Sequence, residues 1–160
     1  MLARSVPTKR YYCVMIPEFD EHGNLPPGIH YATWAEIVTR YATNTRRRDL
    51  LDGLLDALRS LKAAGCGTAY LDGSFVTAKE HPGDFDACWE SVGVVADRQD
   101  PELLDFSDKC AAQRARYGGE LYPAGWPANS EGISFLDLFQ RDRITKQPKG
   151  IIAVDLRDLP

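Results

Sequence analysis

Six leucines constrain the fold of this chain more than any other feature. Leu50, Leu51, Leu54, Leu55, Leu58 and Leu61 recur on one face of a helix. Residues 45–64 therefore read as a helix whose apolar stripe needs a second layer to cover it. Gly65 follows where a helix-ending glycine belongs. The rest of the chain offers that cover mainly as short strands. Thr68 to Leu71, Asp84 to Trp89, Glu120 to Tyr122 and Lys149 to Leu156 each carry a brief apolar run, and Tyr11 to Ile16 reads as another, ended by Pro17. Shorter helices are expected in three places. Thr33-Trp34-Ala35-Glu36 has the form of a capping box and starts one that runs to about Tyr41. A second covers 101–116, up to the Gly118-Gly119 break, and a third Phe135 to Gln140. Helices alternating with short strands around one core argue for a mixed α/β or α+β domain. The length of 160 residues suits a single domain. Residues 1–10 read as a polar, flexible start. Residues 17–30, with Gly23-Asn24 and Pro26-Pro27-Gly28, read as an extended loop.

Charge and composition remove several functional classes. A net charge of −4 does not support a global electrostatic grip on nucleic acid. Two local basic clusters stand out all the same: Arg46-Arg47-Arg48, and the stretch from Arg141 to Lys149. The arginine triplet opens a helix, where positive charge opposes the macrodipole. It reads either as a solvated helix end or as a site for phosphate or an acidic partner. No apolar run is long enough to span a bilayer, and Met1 to Arg10 lack the apolar stretch of a secretory signal. A cytoplasmic protein with no membrane partner is expected. The four cysteines form no Cys-x-x-Cys pair, and the three histidines are scattered, so a zinc site is not expected. Cys66 and Cys88 read as core fillers, and Trp34 and Trp89 as core. Trp126, between Gly125 and Pro127, is the one tryptophan placed to line a substrate cleft.

Chemistry concentrates between Gly73 and Asp86. Gly73-Ser74 directly follows an apolar strand, and Asp84-Phe85-Asp86 opens the next after nine intervening residues. Residues two apart on a strand share a face, so Asp84 and Asp86 present two carboxylates side by side. Like charges this close are unfavourable unless a cation lies between them. Hard oxygen ligands suit Mg²⁺ or Mn²⁺ shared with substrate phosphates. Gly73 lets the backbone approach a ligand closely. Ser74 can donate its hydroxyl and its N–H to a phosphate oxygen. Thr77 and Lys79, in the same connection, are placed to help neutralise a triphosphate. His81, before Pro82, reads as a solvated loop residue.

Gly-Ser, nine residues and Asp-x-Asp together resemble the signature of the DNA polymerase β nucleotidyltransferase superfamily, most closely its small stand-alone members. A wider set of segments looks like a poorly characterised bacterial family assigned to the same fold: Ile16-Pro17-Glu18-Phe19-Asp20, Gly23 to His30, Asp72 to Thr77, and Lys149-Gly150-Ile151-Ile152. The resemblance implies an α+β nucleotidyltransferase fold, a small mixed sheet flanked by helices. It implies a divalent ion (Mg²⁺ or Mn²⁺), a nucleoside triphosphate donor, and transfer of a nucleotidyl group to a hydroxyl of RNA, such as a tRNA end, or of a protein. Related small enzymes act as toxins in toxin–antitoxin or phage-defence modules, which implies an antitoxin-like protein partner. The superfamily places a third carboxylate on a neighbouring strand. Chain order favours Glu120, with Asp137 and Asp155 as competitors. The resemblance thus assigns Asp84, Asp86 and Glu120 to metal and catalysis, and Gly73, Ser74, Thr77 and Lys79 to the nucleotide. The alternative is a catalytically silent protein of this fold that binds a nucleotide or a partner.

Overall fold

The leucine stripe finds its cover on a five-stranded mixed sheet. The computed structural model describes residues 16–160. In chain order these form β1 (Gly28–Ala32), α1 (Trp34–Tyr41), α2 (Thr45–Ala63), β2 (Thr68–Asp72), β3 (Phe85–Trp89), α3 (Ser107–Tyr117), β4 (Gly119–Pro123), α4 (Phe135–Phe139) and β5 (Gly150–Asp155). The sheet runs β1-β5-β2-β3-β4. Its two outer pairs, β1 with β5 and β3 with β4, are parallel, and the two inner pairs are antiparallel. This is a mixed α+β architecture, as the alternation of signals suggested.

The two faces of the sheet meet different surroundings. Ala69, Leu71, Phe85, Ala87, Trp89, Leu121, Ile152 and Val154 join one buried cluster with the leucines of α2, Trp34, Ile37 and Tyr41 of α1, and Tyr117 of α3. The next residue along each strand points the other way. There Tyr70, Cys88, Ile151 and Ala153 pack with Ala124 and with Phe139 of α4 in a smaller cluster. This second cluster stops short of the end of the sheet where Asp72, Asp86 and Glu120 lie.

Local signals explain most boundaries. Thr33 and Glu36 form the reciprocal capping box: the Thr33 hydroxyl accepts from the Glu36 N–H, and the Glu36 carboxylate accepts from the Thr33 N–H at 2.7 Å. Two expectations need correction. The loop expected over 17–30 gives way at Gly28 to β1, whose pairing with β5 is a long-range contact that no local periodicity announces. The helix expected over 101–116 is broken. A 3₁₀ turn at Pro101–Leu104 precedes α3, and Asp108, Lys109 and Cys110 at the start of α3 have φ of 48–58°. Arg114 of the same helix donates to the Asp108 and Lys109 carbonyls, and buried Cys110 donates to the Tyr122 hydroxyl of β4, a contact outside the helix that competes with the helical pattern there. The strand expected from Tyr11 lies outside the described residues, apart from Ile16, which is buried but not in a strand. Among the described residues no helix is long and apolar enough to cross a membrane.

Candidate functional site

The site is built where β2 stops and β3 begins. β2 ends on Asp72, and Gly73 turns the chain with φ of 81°, a conformation that strains a side chain. Space is short as well: a Cβ at Gly73 would stand 2.7 Å from the Asp86 Oδ2. Ser74–Val76 follow as a 3₁₀ turn, pinned by buried Phe75 and Val76. The Thr77 hydroxyl donates to the Ser74 carbonyl at 2.7 Å and so closes the turn.

Two arginines of the triplet hold this loop from outside, while Arg48 donates to the Ala42 carbonyl and the Thr45 hydroxyl. Arg47 is 3% exposed and donates to the carbonyls of Phe75, Thr77 and Lys79, with its guanidinium over the rings of Tyr41 and Phe75. Arg46 donates to the Pro82 and Gly83 carbonyls, just ahead of Asp84. Arg47 is therefore not a solvated helix end, and exposed Arg46 is likewise engaged by carbonyls. The first turn of α2 clamps both ends of the connection from Ser74 to Asp84, and carbonyl oxygens supply the negative partners that the helix dipole withholds.

Register then gathers the acids. Asp72 pairs with Asp86 across β2 and β3, and Asp86 pairs with Glu120 across β3 and β4. Directly opposed residues share a face, so three carboxylates form one row across three strands, with Asp84 just ahead of β3. The outer two are held by cations. Lys149 donates to the Asp72 carboxylate. Arg114 donates to Glu120 Oε1 at 3.0 Å, and the Tyr122 hydroxyl donates to Glu120 Oε2 at 3.0 Å. Asp84 and Asp86 receive no hydrogen bond or ion pair among the described residues. Burial, then the Asp84, Asp72 and Glu120 carboxylates, push the Asp86 carboxyl up to about 7, with Arg143 pulling the other way. Burial likewise raises Asp72, against the opposing pull of Lys149 and Arg143.

A cavity of about 890 Å³ opens over this row. Asp84, Asp86 and Glu120 line it together with Gly73, Ser74, Thr77 and Lys79, so one space brings together all seven sequence-predicted site residues. Asp137 and Asp155 do not line it. Asp137 is exposed on α4, and Asp155 stands at the far end of β5 bound to Arg157. Trp126 is also elsewhere, packed on Phe106 in a separate small apolar pocket. His81 and His22 are exposed, while the His30 ring is bonded to the Pro26 carbonyl. Sequence reasoning missed Asp72, which the pairing of β2 with β3 places beside Asp86. It also left Lys149 and Arg143 within a basic stretch of no stated purpose, because only the position of β5 brings them over the acids.

The donor set fits a hard divalent ion in part. Asp84 and Asp86 supply oxygen ligands, and Asp86 carries a charge that a cation would relieve. Among the described residues, however, no three acids, histidines or cysteines already converge as a ligand group. Asp72 is instead paired with Lys149, and Glu120 with Arg114. Asp84 and Asp86 would hold the ion, while Glu120 keeps its bonds to Arg114 and Tyr122.

Comparison with known proteins gives one match. The family described as "Family of unknown function (DUF6932)" matches residues 17–155, and the chain belongs to it. No curated protein and no solved structure gives a significant match.

Proposed function

We propose that this member of a family of unknown function is a metal-dependent nucleotidyltransferase of the DNA polymerase β type, moving a nucleotidyl group from a nucleoside triphosphate to a hydroxyl of RNA or protein. The observation that carries this reading is the Asp84–Asp86 pair. It is crowded by further carboxylates, receives no hydrogen bond or ion pair among the described residues, and shares a cavity with the Gly73–Ser74 turn. A protein keeps such an arrangement at a cost in stability, and perturbed carboxylates in a cleft are a mark of function.

Held by Asp84 and Asp86, Mg²⁺ or Mn²⁺ would supply charge neutralisation at the donor phosphates. The remaining roles belong to the chain. Ser74 donates its hydroxyl and backbone N–H to phosphate oxygens from a turn that Arg47 and Thr77 keep rigid. In-line attack by the acceptor oxygen on the α-phosphorus forms one P–O bond as the bond to the bridging oxygen breaks, and pyrophosphate leaves with that electron pair. Glu120, oriented by Arg114 and Tyr122, is the carboxylate placed to take the acceptor proton. Arg114 stays beside it as the compensating charge.

The test is transfer of label from each α-labelled nucleoside triphosphate, with Mg²⁺, to RNA and protein acceptors. Asp84→Asn/Asp86→Asn abolishes transfer while the fold remains; full activity in that variant contradicts the mechanism. One observation favours a second reading, a catalytically silent nucleotide-binding protein: Glu120 already has both oxygens engaged. Metal-dependent nucleotide binding without turnover on any acceptor selects that reading.

A further inference from the structure

The cavity has a second wall of opposite charge. Residues 140–149 fold back on themselves: Lys149 N–H donates to the Gln140 carbonyl, Asp142 N–H to Gln147, and Lys146 N–H to Asp142, while Arg141 bridges to Pro148. The one acid of this hairpin is spent on its own turn. Asp142 Oδ1 accepts from the Ile144 and Thr145 N–H groups at 2.9 and 2.8 Å. Of the four cations, only Lys149 has an acidic partner, Asp72. Arg141, Arg143 and Lys146 have no ion pair among the described residues, yet all three line the cavity that holds Asp84, Asp86 and Ser74. Arg143 reaches far enough across it for both Asp72 and Asp86 to feel its charge.

The chain as a whole is acidic, at −4. Three cations without an ion pair among the described residues, gathered at an acid-lined cavity, are therefore a local feature and not a general surplus. Acids on one wall suit a metal ion. Cations on the facing wall suit an anion that the metal does not neutralise, and a triphosphate needs both. The hairpin is also tied to the body of the protein by the hydrogen bond from Asn24 to Asp142 and by the start of β5, so its position over the sheet is defined.

We propose that Arg141, Arg143 and Lys146 form a polyphosphate clamp that holds the β- and γ-phosphates of the donor. The site thereby selects nucleoside triphosphates over monophosphates by the length of the phosphate chain. This rests on the nucleotidyltransferase reading and adds a donor-binding wall that the Gly-Ser and Asp-x-Asp segments do not contain. Charge-assisted contacts of this kind are short and strong, and salt screens them.

The experiment is calorimetric titration of the full-length chain with a non-hydrolysable α,β-methylene nucleoside triphosphate, with the matching monophosphate, and with inorganic tripolyphosphate, each in Mn²⁺. Titration with Mn²⁺ alone reports separately on Asp84 and Asp86. The wild-type chain binds the triphosphate at least about tenfold more tightly than the monophosphate, with tripolyphosphate competing. Arg141→Ala/Arg143→Ala/Lys146→Ala, three exposed positions whose loss leaves the thermal midpoint unchanged, erases that preference and leaves Mn²⁺ binding intact. Arg143→Lys retains part of it. Equal affinity for mono- and triphosphate in the wild type, or an unaltered preference in the triple variant, overturns the clamp. If Mn²⁺ binds but no nucleotide does, the clamp falls and the metal site stands. If Mn²⁺ also fails to bind, the reading beneath the clamp falls with it.

Discussion

Asp86 stands among three other carboxylates, and a neutral residue in its place removes that crowding. Its carboxyl is raised from the ordinary 3.8 to about 7. A carboxyl raised on folding stabilises the native state below its unfolded value, and that contribution disappears as pH climbs through the folded value. In metal-free protein the stability due to Asp86 is thus full below about pH 4 and gone above about pH 7. The displacement corresponds to at most about 4 kcal/mol, and partial exposure reduces it. Asp86→Asn is therefore expected to be more stable than the wild type by about 1–3 kcal/mol at pH 8 in chelator, with the gap closing toward pH 5. Denaturant unfolding at the two pH values measures this; a wild type that equals the variant at pH 8 contradicts it. At this scale the sequence exposed the motif but not its setting. Asp84, Asp86 and Ser74 were legible because strand alternation and glycine chemistry are local rules. Asp72, Lys149 and Arg143 were not, because their roles arise only when β5 and β3 flank β2.

The helices were legible for the same local reasons: the leucine stripe of α2 and the capping box of α1 carry their periods and stops within a few residues. What those helices do for the site was hidden. Arg47 looked like a charge placed against a helix dipole, yet it is the buried brace of the Ser74 loop. Arg47→Ala strands the carbonyls of Phe75, Thr77 and Lys79 and is expected to cost about 3 kcal/mol of stability. Arg47→Lys recovers less than half of that, since one ammonium lacks the planar fork. Chemical denaturation separates these outcomes, and a neutral Arg47→Ala argues that the brace is dispensable. Gly53 is a second concealed contact. It interrupts a leucine-rich helix at an apparent cost in helix propensity, but a Cβ there would come within 1.9 Å of the Tyr117 carbonyl. The close approach of α2 to α3 depends on its absence. Gly53→Ala, stabilising in an isolated helix, is expected to destabilise this protein by about 3 kcal/mol, again read from denaturation. The break at the start of α3 and the pairing of β1 were unreadable for one shared reason: each is decided by contacts distant in sequence.

Across the whole molecule, the sheet divides its two jobs between its faces. One face is sealed by α1, α2 and α3 into the main core. The other packs only in part, and at the end that the smaller cluster leaves free the carboxylate row lines the cavity together with the basic hairpin. An acid wall and a cation wall enclosing about 890 Å³ have room for a nucleotide and its counter-ion together. Anomalous diffraction from crystals containing Mn²⁺ and a non-hydrolysable nucleoside triphosphate tests this division most directly. A manganese peak at Asp84 and Asp86, with the triphosphate running from it past Ser74, is the expected result. Manganese bound away from these two aspartates, or a nucleotide bound outside this cavity, contradicts it.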